Sequence, residues 1–321
     1  MAASARARSV LLLAALLGLA SLAHAEPAAP KPTPAEQPAA AAPADAPSPP
    51  PVPTLDPART LRVDYLDVGQ GDAMLLRSYN GKTVLIDTGG PRARGKLKRA
   101  LKAEGVTRID ALVLTHPHAD HIGNAVTVLR EFEVGIVYEP GYPHTAVGYR
   151  RVLETVEEKG IRYKKARDGM RIRLADDVEL QILAPGDEFL DSERSVLNCT
   201  SVVLRLTYGK VRFLFPGDAE QEVEKQLLAK HPDELKADVY KVAHHGSKYT
   251  NHDDFLDKVR PSIAVIEVGR RNTYRHPTPE TLARLKAHGV RTYTTAIHGQ
   301  VTVTTDGTTI LVKPQNDQPP L

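Results

Sequence analysis

An apolar run, Ala111-Leu112-Val113-Leu114, passes directly into Thr115-His116-Pro117-His118-Ala119-Asp120-His121. This junction limits the fold more than any other stretch, because a buried strand must end where four metal-ligating side chains begin. Imidazole and carboxylate are the ligands that Zn²⁺ and neighbouring divalent ions prefer. His116 and His118, two apart on extended chain, can face the same way. Asp120 and His121 follow as the chain turns into an expected helix, 122–131. One short loop can therefore serve two adjacent metal positions.

Three further polar stretches follow apolar strands: Ile86-Asp87-Thr88-Gly89, Phe215-Pro216-Gly217-Asp218 and His244-His245. Asp87 is expected to stand behind the histidine loop and orient an imidazole, as carboxylates do around bound metals. Asp218 alone could be a helix N-cap before Ala219. Adjacent residues on extended chain face opposite ways, so only one of His244 and His245 is expected to touch a metal, with His244 preferred.

Taken in order with His116-x-His118-x-Asp120-His121, these stretches resemble the motifs of the metallo-β-lactamase superfamily. Leu66-Asp67-Val68-Gly69-Gln70-Gly71-Asp72-Ala73, Lys241-Val242-Ala243-His244-His245-Gly246-Ser247 and Asn272-x-Tyr274-x-His276-Pro277 are similar, more narrowly, to the metallo-β-lactamase-like domain of the ComEC family of DNA-uptake proteins. The resemblance implies an αββα sandwich and two divalent ions, Zn²⁺ or Mn²⁺. It assigns His116 and His118 to one ion, Asp120 and His121 to the other, Asp218 to the bridge, and His244 or His245 as the late histidine. Asp120 and His276 are expected to act in catalysis, His276 as a proton donor to a leaving group. Gln70, Asp72, Ser247, Asn272 and Tyr274 are expected at the same rim. Many members of the superfamily carry another histidine where this chain reads Ser195-Val196-Leu197-Asn198-Cys199. One ion would then lack an imidazole, with Asn198 or water in its place, and oxygen-rich ligation tilts the preference towards Mn²⁺.

The N-terminus reads as an export leader. Arg6 and Arg8 precede an apolar run, 10–22, and Ala23-His24-Ala25 fits a small-x-small cleavage site. Such a run is too short to span a bilayer comfortably, so residues 1–25 are expected to be removed, leaving no membrane span in a secreted or periplasmic chain. Residues 26–57 hold 12 of the 25 prolines among alanines and read as an extended tether without a core. Residues 58–314 make one hydrolase domain, with a short tail at 315–321. Loss of Arg6 and Arg8 takes the formal charge from +3 to +1, which excludes a strongly basic nucleic-acid binder. Any attraction for polyanions must be local. The single Cys199 excludes an internal disulfide.

Strands are expected at 61–66, 73–78, 83–87, 111–114 and 134–138, then at 161–165, 171–174, 178–184, 201–208 and 211–215. Later ones are expected at 238–242, 262–268 and near Arg291, Val301 and Ile310. Helices are expected at 93–104, 122–131, 147–159, 219–230, 253–259 and 279–288. Two successive halves of this kind make an α/β sandwich of two sheets with helices outside. Six positive charges fall within 92–102. Of these, Lys96, Lys98 and Lys102, together with Arg271 beside the Asn272 motif, suit contact with a phosphodiester backbone. The expected function is a metal-dependent hydrolase using a metal-bound hydroxide on phosphodiesters, single-stranded DNA among them. The rivals are a hydrolase of another extracellular ester, lactone or β-lactam, such as a phosphocholine ester, and a non-catalytic DNA-binding module. Nothing in the sequence speaks to oligomeric state.

Overall fold

The structure, a computed structural model, describes residues 54–321; the expected leader and most of the tether lie outside them. The first half of the chain runs β1 (Leu61–Tyr65), β2 (Met74–Arg77), β3 (Thr83–Ile86), α1 (Arg94–Ala103), β4 (Arg108–Ile109) and β5 (Ala111–Val113). It continues with α2 (Ala119–Ile122), α3 (Ala125–Glu131), β6 (Glu133–Val134), β7 (Ile136–Glu139), α4 (Val147–Glu158) and β8 (Arg162–Lys165). The second half runs β9 (Arg171–Ala175), β10 (Val178–Ala184), α5 (Val196–Cys199), β11 (Val203–Tyr208), β12 (Val211–Phe215), α6 (Gln221–Lys230) and β13 (Val239–Lys241). After these come α7 (Asp253–Val259), β14 (Ile263–Ile266), α8 (Pro279–Ala287), β15 (Arg291–Thr294), α9 (Thr295–His298), β16 (Val301–Thr305) and β17 (Ile310–Pro314).

An eight-stranded sheet has the order β17-β16-β1-β2-β3-β5-β7-β8, and a seven-stranded sheet the order β15-β14-β13-β12-β11-β10-β9. Strand periodicity explains how they pack. Successive side chains point to opposite faces, and both faces of the central strands are apolar. Thus Val84 and Ile86, with Phe213 and Phe215, meet in one core between the sheets. Leu85, between the first pair, turns outward to α1, α3 and α4. Leu214, between the second pair, turns outward to α6, α7 and α8. Helix, sheet, sheet, helix is the layering that the resemblance implied. Phe213 is fully buried in the middle layer. Its replacement by alanine is expected to cost about 3–5 kcal/mol of stability, read as a lower urea midpoint at unchanged slope.

The topology also decides where polar loops collect. β3, β5 and β7 are parallel in one sheet, and β12 to β15 are parallel in the other. Their C-terminal ends open on one rim, the usual place for a site in parallel sheets.

Two local expectations change. The helix expected at 122–131 is interrupted at Gly123-Asn124. Asn124 Nδ2 donates to Thr88 O (2.9 Å) and Gly90 O (2.7 Å), while a Cβ on Gly123 would lie 2.4 Å from Ala119 O and 2.5 Å from Pro91 Cδ. The break clips the histidine loop to the loop after β3. Residues 315–321, expected as a tail, are hydrogen-bonded back onto the fold, with Leu321 N donating to Thr292 O (2.9 Å) and Asn316 N to His298 O (2.9 Å). Among the described residues no helix is long and apolar enough to cross a membrane.

Candidate metal centre

Asp87 is the first residue after β3 and sits at φ +59°. Its carboxylate accepts from Thr115 N (2.8 Å) and Thr115 Oγ1 (2.7 Å), and Oδ2 lies 2.8 Å from His121 Nδ1. With Nδ1 so engaged, the other nitrogen of His121 faces the opposite way. There, at 3.2 Å, stands Oδ2 of Asp218.

That oxygen is the hub of the site. Around it lie His116 Nε2 at 3.9 Å, His121 Nε2 at 3.2 Å, His244 Nε2 at 3.8 Å and His245 Nε2 at 3.4 Å. Asp120 Oδ2 is 3.4 Å from His245 Nε2, and His118 Nδ1 is 2.9 Å from His116 Nε2. Ligand atoms of His116, His121 and Asp218 fall within 4.8 Å of one another, as do those of Asp120, His121 and His245. These residues suit a divalent ion on a specific ground: buried His121 Nε2 and His245 Nε2 both face Asp218 Oδ2, and neither has a hydrogen-bond partner. Unpaired buried polar atoms are costly, and a shared cation would satisfy both.

The expectation that only one of two adjacent histidines faces the site rested on an extended backbone, and the backbone is not extended. His244 (φ +47°, ψ +47°) and His245 (φ +52°, ψ +22°) are both left-handed, so both rings turn to Asp218. His245 is buried, and its Nδ1 lies 2.9 Å from Glu267 O; His244 is partly open to solvent. The order of preference between them therefore reverses for the position beside Asp120.

Below the histidines lies a buried ion pair. Lys241 Nζ is 2.5 Å from Asp72 Oδ2 and 3.9 Å from Asp218 Oδ1, all fully or almost fully buried. Burial alone would raise the Asp72 pKa, but Lys241, His245 and His121 outweigh it and hold it low. Burial likewise opposes the charge on Asp218, yet the surrounding imidazoles hold its pKa well below the ordinary carboxylate value. Glu267, by contrast, is pushed well above its usual value by burial and by Asp72. Sequence reasoning gave no role to Glu267 or Glu220, nor to Lys241, which opens a quoted motif without being singled out. The signal of Lys241 and Glu267 is charge inside apolar sequence, as in Val239-Tyr240-Lys241-Val242 and Val265-Ile266-Glu267-Val268, whereas Glu220 carries none.

The remaining residues divide into lining and bracing groups. Gln70, His118, Asp120, His244, His245, Tyr274 and His276 line one cavity. Tyr274 is 63% exposed and stacks on His276 (5.9 Å between centroids), whose ring meets His244 edge-on at 5.4 Å. Burial, then His244 and His245, lower His276 to about 4, so near neutral pH its ring is uncharged. Asn272 braces the loop that presents both rings, donating to Gly269 O (3.0 Å) and His276 O (2.8 Å) and accepting from His276 N (2.9 Å). Ser247 is buried, and its backbone N–H donates to His244 O (2.9 Å). Asn198 is buried; its amide nitrogen donates to Glu220 Oε1 (2.8 Å), while its Oδ1 has no hydrogen-bond partner.

The basic residues also separate. Arg92, Lys96 and Arg271 line a cleft with Gln70, Asp120 and Tyr274. Lys98 instead reaches Glu131 (2.8 Å), and Lys102 is not among the residues lining that cleft. Lys96 pairs with Asp67 (3.0 Å), both about half exposed, a contact of small energy.

The sequence model of the metallo-beta-lactamase superfamily matches residues 66–269. ComE operon protein 3 of Bacillus subtilis is 32% identical over 256 residues, covering 74% of this chain and 32% of that protein. Recombination protein 2 of Haemophilus influenzae is 32% identical over 249 residues (76% and 29%), and competence protein ComA of Neisseria gonorrhoeae is 32% identical over 250 residues (77% and 33%). The chain thus spans about a third of the length of these relatives. A metallo hydrolase from Ignicoccus hospitalis superposes with TM-score 0.51 at 18% identity, covering 76% of this chain and 98% of that one, a likeness of fold.

Proposed function

The chain belongs to the metallo-β-lactamase superfamily, and from that premise we propose that it is an exported, divalent-metal-dependent phosphodiesterase acting on DNA. The observation that carries this reading is the Asp218 hub opening, through Asp120, into a cleft walled by Arg92, Lys96, Arg271 and Tyr274. The names competence protein and recombination protein, borne by relatives, support DNA as the polymer. Export rests on the leader pattern within residues 1–25.

In this reading His116, His118, Asp120, His121, Asp218 and the two late histidines hold two ions, Zn²⁺ or Mn²⁺. What such ions supply when bound is Lewis acidity, which makes water a nucleophile near neutral pH and neutralises charge on a phosphoryl group. Every other part belongs to the chain. Asp87 fixes the orientation of His121 through Nδ1. Arg92, Lys96 and Arg271 take the phosphates on either side of the scissile one, where charge neutralisation dominates affinity. Tyr274 offers a face on which an unpaired base can stack. Asp120, partly open to the cleft and held below its usual carboxylate range, and His276, uncharged near neutral pH with an unpartnered Nδ1, carry no proton to give at rest; each is placed to accept one at the cleft and then hand it to a leaving oxygen.

The test is a metal-swept assay of the purified chain on single-stranded DNA, bis-p-nitrophenyl phosphate and nitrocefin. Hydrolysis of the first two but not the third is expected. Charge reversal at Arg92, Lys96 and Arg271 should slow cleavage of long strands and spare the small diester. Wild-type activity on long strands should fall with salt at a log–log slope near −2, from about 0.7 per phosphate contact for three contacts, and the variant's slope should approach zero. Equal slopes would remove the cleft from DNA binding, and turnover of nitrocefin alone would replace the phosphodiester reading by that of a lactam hydrolase.

A further inference from the structure

The hub presents an asymmetry. On one side Asp120, His121 and His245 bring three ligand atoms within 4.8 Å of one another. On the other stand His116 and His118, 2.9 Å apart, and the segment from which the wider superfamily sends a third imidazole carries Asn198. The Asn198 amide nitrogen donates to Glu220, while its Oδ1 has no hydrogen-bond partner. Glu220 is itself 2% exposed, and its Oε1, which accepts from Asn198, lies 3.2 Å from His244 Nδ1. A buried carboxylate behind one imidazole nitrogen is the arrangement that fixes the other nitrogen for a metal. That other nitrogen, His244 Nε2, is 3.8 Å from Asp218 Oδ2, matching His116 Nε2 at 3.9 Å. Only the left-handed backbone at both His244 and His245 lets neighbouring residues point at one oxygen, and such a backbone is disfavoured for residues with a Cβ. The strain at two consecutive positions makes sense if both rings have work at the hub.

Resting on the metal-hydrolase reading above, we propose that His244 is the third imidazole of the His116–His118 metal position, oriented by Glu220, with Asn198 anchoring that carboxylate. The lost histidine of one segment is thus replaced from another, and Asn198 acts as a support two contacts removed instead of as a ligand. His245 remains the ligand on the Asp120 side.

The test reads metal content, not turnover. Metal-free full-length chain is loaded with Mn²⁺ or with Zn²⁺, freed of excess by gel filtration, and analysed for ions per chain. Wild type is expected to hold two ions and His244→Ala one, with the thermal transition of the metal-free variant unchanged. His244→Gln, which keeps most of the volume, gives the same reading if the alanine variant does not fold. Glu220→Ala should weaken the second ion by about 10–100-fold and leave the first as it was, with Glu220→Gln recovering part of the loss. Two ions retained at wild-type affinity in the His244 variants, or loss of both ions, would overturn the assignment. Fewer than two ions in wild type would instead bring down the dinuclear reading on which it rests.

Discussion

Asp218→Ala is expected to leave one ion or fewer per chain and to lower phosphodiester hydrolysis by at least about 10³-fold. The reason is that one carboxylate oxygen lies within 3.9 Å of four imidazole nitrogens. Loss of the hub removes a negative charge that both ions would share, and charge stabilisation of several kcal/mol corresponds, at about 1.36 kcal/mol per tenfold, to at least this fall in rate. Asp218→Asn sharpens the point: it keeps the shape and one acceptor oxygen but not the charge, and should resemble alanine more than wild type. Two ions held as tightly as in wild type, measured by elemental analysis after gel filtration, would show that Asp218 is not the bridge.

The second large effect is on stability. Lys241→Met should destabilise the fold by about 3–5 kcal/mol, because it leaves the fully buried Asp72 carboxylate without its ammonium partner. The double variant Lys241→Met, Asp72→Asn should recover a good part of this, since the stranded charge goes with it. Urea denaturation of the metal-free wild type, Lys241→Met, Asp72→Asn and the double variant gives the four stabilities that a double-mutant cycle needs. A single-variant cost near zero would mean that His121 and His245 suffice to hold Asp72. An additive double variant would mean that the 2.5 Å contact carries no coupling.

The layers of the sandwich could be read from sequence because both faces of its central strands are apolar with a period of two, and each ligand motif begins where such a run ends. His116, His118, Asp120, His121 and Asp218 are gathered at one hub for that reason. What escaped the sequence depends on distant partners. Gly123-Asn124 breaks a helix only because Thr88, Gly90 and Pro91 come to lie against it. The pair His244-His245 was expected on extended chain, and nothing local in Ala243-His244-His245-Gly246 announces two left-handed residues. Nothing local to Asn198 announces that its amide nitrogen is held by Glu220, 22 residues on. Lys241 and Glu267 sit in apolar strands, where pattern alone cannot tell a buried ion pair from an exposed edge.

The hub draws its donors from both sheets: His116 to His121 follow β5, while Asp218, His244 and His245 follow β12 and β13 of the other sheet. An ion held among them would therefore be a crosslink, tying segments about a hundred residues apart along the chain. Such a link stabilises only the folded state, by about 2.7 kcal/mol when the free ion stands at a hundred times its dissociation constant. Scarcity of metal would then do more than idle the centre. It would release the clasp between the two halves, and a chain starved of ions would become the easier prey of proteases.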